Sequence, residues 1–134
     1  MSQAITIDHL NVFEWYDGCV AGIAECDGAP LVVCMVSFDA DHTAKRFAYL
    51  PVSGQEVRHL QELYEKDGLG PSFNHFWLSA LTSKDIGFLA KHEPKMGAHV
   101  TLTVLNEAQF QRLKHYSLPC IDEAVSDEAN LFWA

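Results

Sequence analysis

Cys19-Val20-Ala21-Gly22-Ile23-Ala24-Glu25-Cys26, then Asp27-Gly28, then Leu31-Val32-Val33-Cys34-Met35-Val36-Ser37-Phe38 reads as two strands around a tight turn. Asp-Gly suits a two-residue hairpin turn because both positions need positive φ. Such a turn sets Ala24 opposite Leu31 and Cys19 opposite Val36. One face then carries Cys19, Ala21, Ile23, Val32, Cys34, Val36 and Phe38, and the other Val20, Gly22, Ala24, Leu31, Val33 and Met35. Both faces are apolar, so the hairpin is expected to be central and covered on two sides. The cover comes from helices or from a second subunit, and a homodimer is expected on that ground. Gly22, inside a strand, marks a close backbone approach or a bulge.

The flanks extend the sheet. Val12-Phe13-Glu14-Trp15-Tyr16 is aromatic and β-branched and stops at Asp17-Gly18. After the polar loop Asp39-Ala40-Asp41-His42-Thr43, Arg46 to Leu50 reads as another strand. From Ser53 the period turns helical. Ser53 and Glu56 form a capping box, with Val57, Leu60, Leu63 and Tyr64 on one face up to Asp67-Gly68. After Gly70-Pro71, Phe73, Phe76, Trp77, Ala80 and Leu81 have the spacing of a core-facing helix, with Phe76 and Trp77 as core anchors. Thr82 and Asp85 predict a short helix carrying Ile86, Leu89 and Ala90, ended by Pro94. Ala98, Val100, Leu102 and Val104 alternate with polar residues as a half-buried strand. Asn106 and Gln109 then cap a helix with Phe110, Leu113 and Tyr116, which Pro119 stops.

The pattern is α+β: a mainly antiparallel sheet, an N-terminal meander plus one later strand, covered by three or four short helices. Residues 1–134 form one domain, with an acidic tail at 121–134 either docked or free. The chain has 134 residues, 49% hydrophobic and 20% charged, which is globular composition.

Nine basic against eighteen acidic residues leave a formal charge of −9. That balance repels nucleic-acid phosphates and favours a basic protein partner. Met1 to Leu10 lacks the pattern of a signal peptide, and the apolar stretch Leu31–Val36 is too short for a bilayer. A cytoplasmic location and reduced cysteines are expected.

The histidines show no HExxH spacing, and the cysteines no CxxC pair. Asp39, Asp41 and His42 make the tightest polar cluster, with oxygen and imidazole ligands of the kind divalent ions take. Asp-rich loops are also ordinary turns, so no metal and no cofactor are expected. Cys19 and Cys34 lie diagonally on one hairpin face, a relation that seldom meets disulfide geometry. Buried free thiols are expected there, and Cys120 is expected to be more exposed. Asp122, Glu123, Asp127 and Glu128, with Phe132 and Trp133 near the end, read as an acidic docking segment with an aromatic tip. The same segment is also explained by Ile121, Val125 and Phe132 packing on the chain's own core.

Phe13-Glu14-Trp15-Tyr16-Asp17-Gly18, with Gly22-Ile23-Ala24 and Asp27-Gly28, resembles the start of small uncharacterised bacterial proteins. In these an aromatic-Tyr-Asp-Gly segment feeds a hairpin. The resemblance covers about the first thirty residues and implies bacterial origin and the strand reading, with no activity attached.

No catalytic set emerges. The expected function is a small acidic interaction protein of regulatory, inhibitor or immunity-like type. The alternative is a small enzyme or ligand-binding domain using Asp39, Asp41 and His42 with a cleft aromatic such as Trp15 or Tyr16.

Overall fold

The computed structural model describes residues 2–15, 18–38, 45–83 and 86–115. The N-terminal half is β1 (Ser2–Thr6), β2 (His9–Trp15), β3 (Cys19–Cys26), β4 (Ala29–Phe38) and β5 (Lys45–Pro51). Then come α1 (Gly54–Asp67), α2 (Pro71–Ser83), β6 (Phe88–Ala90), β7 (His99–Val104) and α3 (Glu107–His115). All neighbouring strands are antiparallel, in the order β1-β7-β6-β5-β4-β3-β2. Among the described residues no helix is long and apolar enough to cross a membrane.

The central hairpin has the expected register. Ala24 pairs with Leu31 and Ala21 with Cys34, around a turn with φ 53° at Asp27 and 79° at Gly28. The turn sets the pairing, and the pairing sets which side chains share a face. Gly22 is the close approach expected of it. A Cβ there would lie 2.5 Å from the Asn11 carbonyl oxygen, and the β2 register shifts just beyond its partner Val12.

The two ends of the sheet belong to one run of chain. Ile7 N–H donates to the Ala98 carbonyl at 3.0 Å, and the next residue, Asp8, donates to the Glu25 carbonyl at 2.8 Å. Residues 2–6 therefore bond to β7, whereas residues 9–15 bond to β3. That arrangement curls the sheet back on itself. Closing a sheet hides strand edges and creates an inner face.

The inner face carries Val33, Tyr49, Phe88, Leu102 and Ile5, which share a side through the register of their strands. The outer face of the hairpin lies under α1 and α2. Phe13 of β2 stacks on Tyr64 of α1 at 5.5 Å and meets Phe73 of α2 edge-on at 6.4 Å, and the Tyr64 hydroxyl donates to Glu14. Both apolar faces of the hairpin are thus covered within one chain. The packing reason for a second subunit is met internally.

Local signals set the helix starts. Glu56 N–H donates to Ser53 Oγ at 3.1 Å and Ser53 N–H to Glu56 Oε1 at 2.9 Å, the reciprocal capping box. Asn106 and Gln109 make the same exchange at 2.9 Å each way ahead of α3. Pro71 opens α2, where its missing N–H costs nothing.

Two expectations need correction. Residues 86–90 do not form a helix. Phe88–Ala90 is a strand, pairing with Phe47–Tyr49 on one side and with β7 on the other. Ile86, Leu89 and Ala90 match a helical spacing, but Phe88, Leu89 and Ala90 are all buried, as a central strand covered on two sides requires. The ladder to β5 overrides the local pattern. The sheet therefore has two later strands, β6 and β7, and an unforeseen first strand, β1, with three helices among the described residues.

Candidate functional site

α1 and α2 lie side by side, and α2 has two working faces. Phe73, Trp77, Ala80 and Leu81 are buried, with Trp77 at 0% exposure. A quarter turn away, Ser72, His75, Phe76, Ser79 and Ser83 follow one another at helical spacing along an open groove. α1 supplies the opposite wall with Glu56, His59 and Leu63, again at helical spacing. The groove measures about 830 Å³.

Phe76 is its centre. The ring is half-buried, and the His59 ring stands 5.6 Å away, tilted by 58°. Leu63 and Leu78 are also half-buried beside it, while His59 and His75 are exposed. An apolar strip is thus flanked by imidazoles, hydroxyls and an amide. Such a lining suits recognition: apolar area supplies affinity and the polar rim supplies orientation.

Two of the polar groups along the groove are engaged within their own helix ends. Glu56 Oε1 is held by the Ser53 N–H at 2.9 Å as part of the helix cap. Ser83 Oγ donates to the Ala80 carbonyl at 3.3 Å, a bond within the helix. Among the described residues, no hydrogen bond joins a groove hydroxyl to His59 or His75, as an activated serine requires.

Cys19, Cys26 and Cys34 are free and buried. Burial first, then the Glu93 carboxylate, pushes the Cys19 thiol up to about 12, with Lys45 opposing. Cys34 is pushed well above the ordinary thiol value by burial and then by Cys19. Burial also raises Cys26, helped by Asp8 and Asp27. Thiols held in the neutral form are poor nucleophiles. They behave as the small apolar residues the sequence suggested.

Most of the sequence-derived candidates lie outside the described residues. Asp39, Asp41 and His42 lie outside the described residues, as do Tyr16 and Cys120. So does the whole docking segment with Asp122, Glu123, Asp127, Glu128, Phe132 and Trp133. Trp15 is described and is 67% exposed at the end of β2. His99 is exposed and hydrogen-bonded to Thr6 Oγ1 at 2.9 Å, and His9 is exposed on β2. Among the described residues no three His, Cys, Asp or Glu side chains converge as a metal ion requires. Of the two expected core anchors, Trp77 is buried, whereas Phe76 lines the groove. The His59–Phe76 pairing joins two helices and had no signal in either alone.

The architecture is an antiparallel sheet curled around an inner face and backed by two helices, with an open groove on the helical side. No family model, curated protein or solved structure matches the chain.

Proposed function

We propose that this protein is a small acidic interaction module that docks a basic partner through the α1–α2 groove. The carrying observation is Phe76, which fits a helix-packing pattern yet lies half-buried in the groove beside His59. An aromatic ring set among half-buried leucines and rimmed by polar groups is the usual make-up of a binding hot spot. The formal charge of −9 adds long-range attraction for a basic partner and repels nucleic acid. The acidic segment 121–134 belongs to the same proposal as a second contact, adding Asp122, Glu123, Asp127 and Glu128 against basic side chains and Phe132 and Trp133 against an apolar pocket.

Affinity capture from a bacterial host, quantified by mass spectrometry, tests this with three baits: wild type, Phe76→Glu, and a chain ending at residue 120. A basic protein captured by wild type and lost with Phe76→Glu supports the groove. Loss only on truncation moves the interface to the tail. Equal capture by all three overturns the proposal.

A further inference from the structure

The curled sheet is closed at one end and open at the other. At the closed end the loop after β6 crosses to the start of β3, where the Cys19 N–H donates to Glu93 Oε1 at 2.7 Å, and Pro94 is buried. At the open end the seam is incomplete. Among the described residues β1 bonds to β7 alone, and its other edge faces the β3–β4 turn without a ladder. A cavity of about 480 Å³ opens there, lined by β1 on one side and by Cys26–Leu31 on the other.

The wall of this mouth is mixed: Ile5, Leu31, Val52, Phe88 and Leu102 supply its apolar part, and Gln3 and Thr6 of β1 line it as well. Ile86 sits on the rim with half its surface exposed and adds apolar area to the entrance. Its volume falls in the range of small-molecule sites, and mouths of curled sheets are a common place for them. The charge at the rim is one-sided. Asp27 lines the mouth, and its N–H donates to Asp8 Oδ2 at 2.7 Å, which brings the Asp8 carboxylate to the same edge. Both carboxylates lie close enough to Cys26, itself lining the cavity, to act on its thiol. None of the described residues lining the mouth is basic.

We propose that this mouth binds a small apolar cation, an alkyl or arylalkyl ammonium whose body fills the cavity and whose head meets Asp27 and Asp8. The apolar part of the wall, Ile5, Leu31, Val52, Phe88 and Leu102, selects the body. The two carboxylates select the sign of the head, because a carboxylate ligand would be brought against like charges as it left water. Cys26 is a bystander in contact range and reports occupancy. The site is separate from the α1–α2 groove and shares no lining residue with it.

The test is an NMR titration of the intact chain with three ten-carbon probes: decylammonium, decanol and decanoate. Decylammonium is expected to shift the amides of Ile5, Cys26, Asp27 and Phe88 in a saturable way. It should bind about tenfold more tightly than decanoate, the scale of one partly desolvated charge contact. Asp27→Asn should reduce that preference. Ile86→Arg, a change at an exposed rim position that leaves the core intact, should weaken decylammonium and strengthen decanoate. Alkylation of Cys26 should slow when decylammonium is present. Decanoate binding as tightly as decylammonium overturns the proposal. So does the absence of saturable shifts at the mouth, or their appearance at His59 and Phe76 instead.

Discussion

The backbone N–H of Cys19 donates to Glu93 Oε1 at 2.7 Å, tying the first residue of β3 to the loop that leaves β6. β5 and β4 lie between those two strands in the sheet, so this one bond spans the end of the curl opposite the β3–β4 turn. The Glu93 carboxylate occupies the space where Gly18 has no side chain, and Gly18 itself holds φ at 131°. Glu93→Ala should cost about 1–3 kcal/mol, because it strands a part-buried N–H. Gly18→Ala should cost more, since a Cβ there would lie 1.7 Å from Glu93 Oε1 and displace it, in a backbone conformation that alanine resists. Urea denaturation of both variants checks this. Equal stability of Gly18→Ala and wild type would show that the Glu93 contact is absent in solution.

The same region predicts alkaline sensitivity. The folded Cys19 thiol sits at about 12, mainly through burial, against about 8.5 in an unfolded chain. Protons are therefore held more tightly when folded. The contribution is complete below about pH 8.5 and is lost as pH rises toward 12, at about 1.4 kcal/mol per pH unit for each such thiol. Cys26 and Cys34 are raised as well and steepen the loss. Cys19→Ala removes one share, so its stability deficit against wild type should shrink by roughly 1 kcal/mol between pH 7.5 and 9.5. A deficit independent of pH would mean that Cys19 is exposed to water.

What was legible in the sequence was local. Asp27-Gly28 announces a two-residue turn, and the turn alone sets the register of Ala24 with Leu31. Ser53 with Glu56 and Asn106 with Gln109 announce helix starts by a spacing of three. What was hidden depends on distant partners. β1 is short, lacks aromatic residues and is paired to β7, with Thr6 bonded to His99 93 positions away. β6 has three residues and owes its strand form to β5. The groove was hidden because Phe76 and Trp77 are neighbours inside one broad apolar stripe. Helical spacing says that a stripe exists, and its edges are decided only by what packs against it.

Tyr49 offers a test of the inner face. Its hydroxyl is buried without a hydrogen-bond partner among the described residues, and burial raises its pKa further from the physiological range. Leaving a hydroxyl unsatisfied costs about 1–3 kcal/mol, so Tyr49→Phe should match or exceed wild-type stability. Chemical denaturation at pH 7 is sufficient. A loss of more than about 1 kcal/mol would mean that the hydroxyl has a partner in solution.

Neighbouring aromatic residues on α2 should separate stability from binding. Trp77 is fully buried on the core face, so Trp77→Ala removes a large packed ring and should cost about 3–5 kcal/mol. Its indole N–H has no partner among the described atoms, so Trp77→Phe forfeits packing and no hydrogen bond and should cost less. Phe76 is half-buried at the groove, and a charge there can reach water without entering the core. Phe76→Glu should therefore change stability by about 1 kcal/mol or less. If the groove docks a partner, the same change should weaken that complex by about 2 kcal/mol, some thirtyfold. Urea denaturation measures the first quantity, and titration of the captured partner against folded variants the second. The decisive comparison is between the two residues. Should Phe76→Glu destabilise the fold as much as Trp77→Ala, Phe76 is a core residue and the groove loses its anchor.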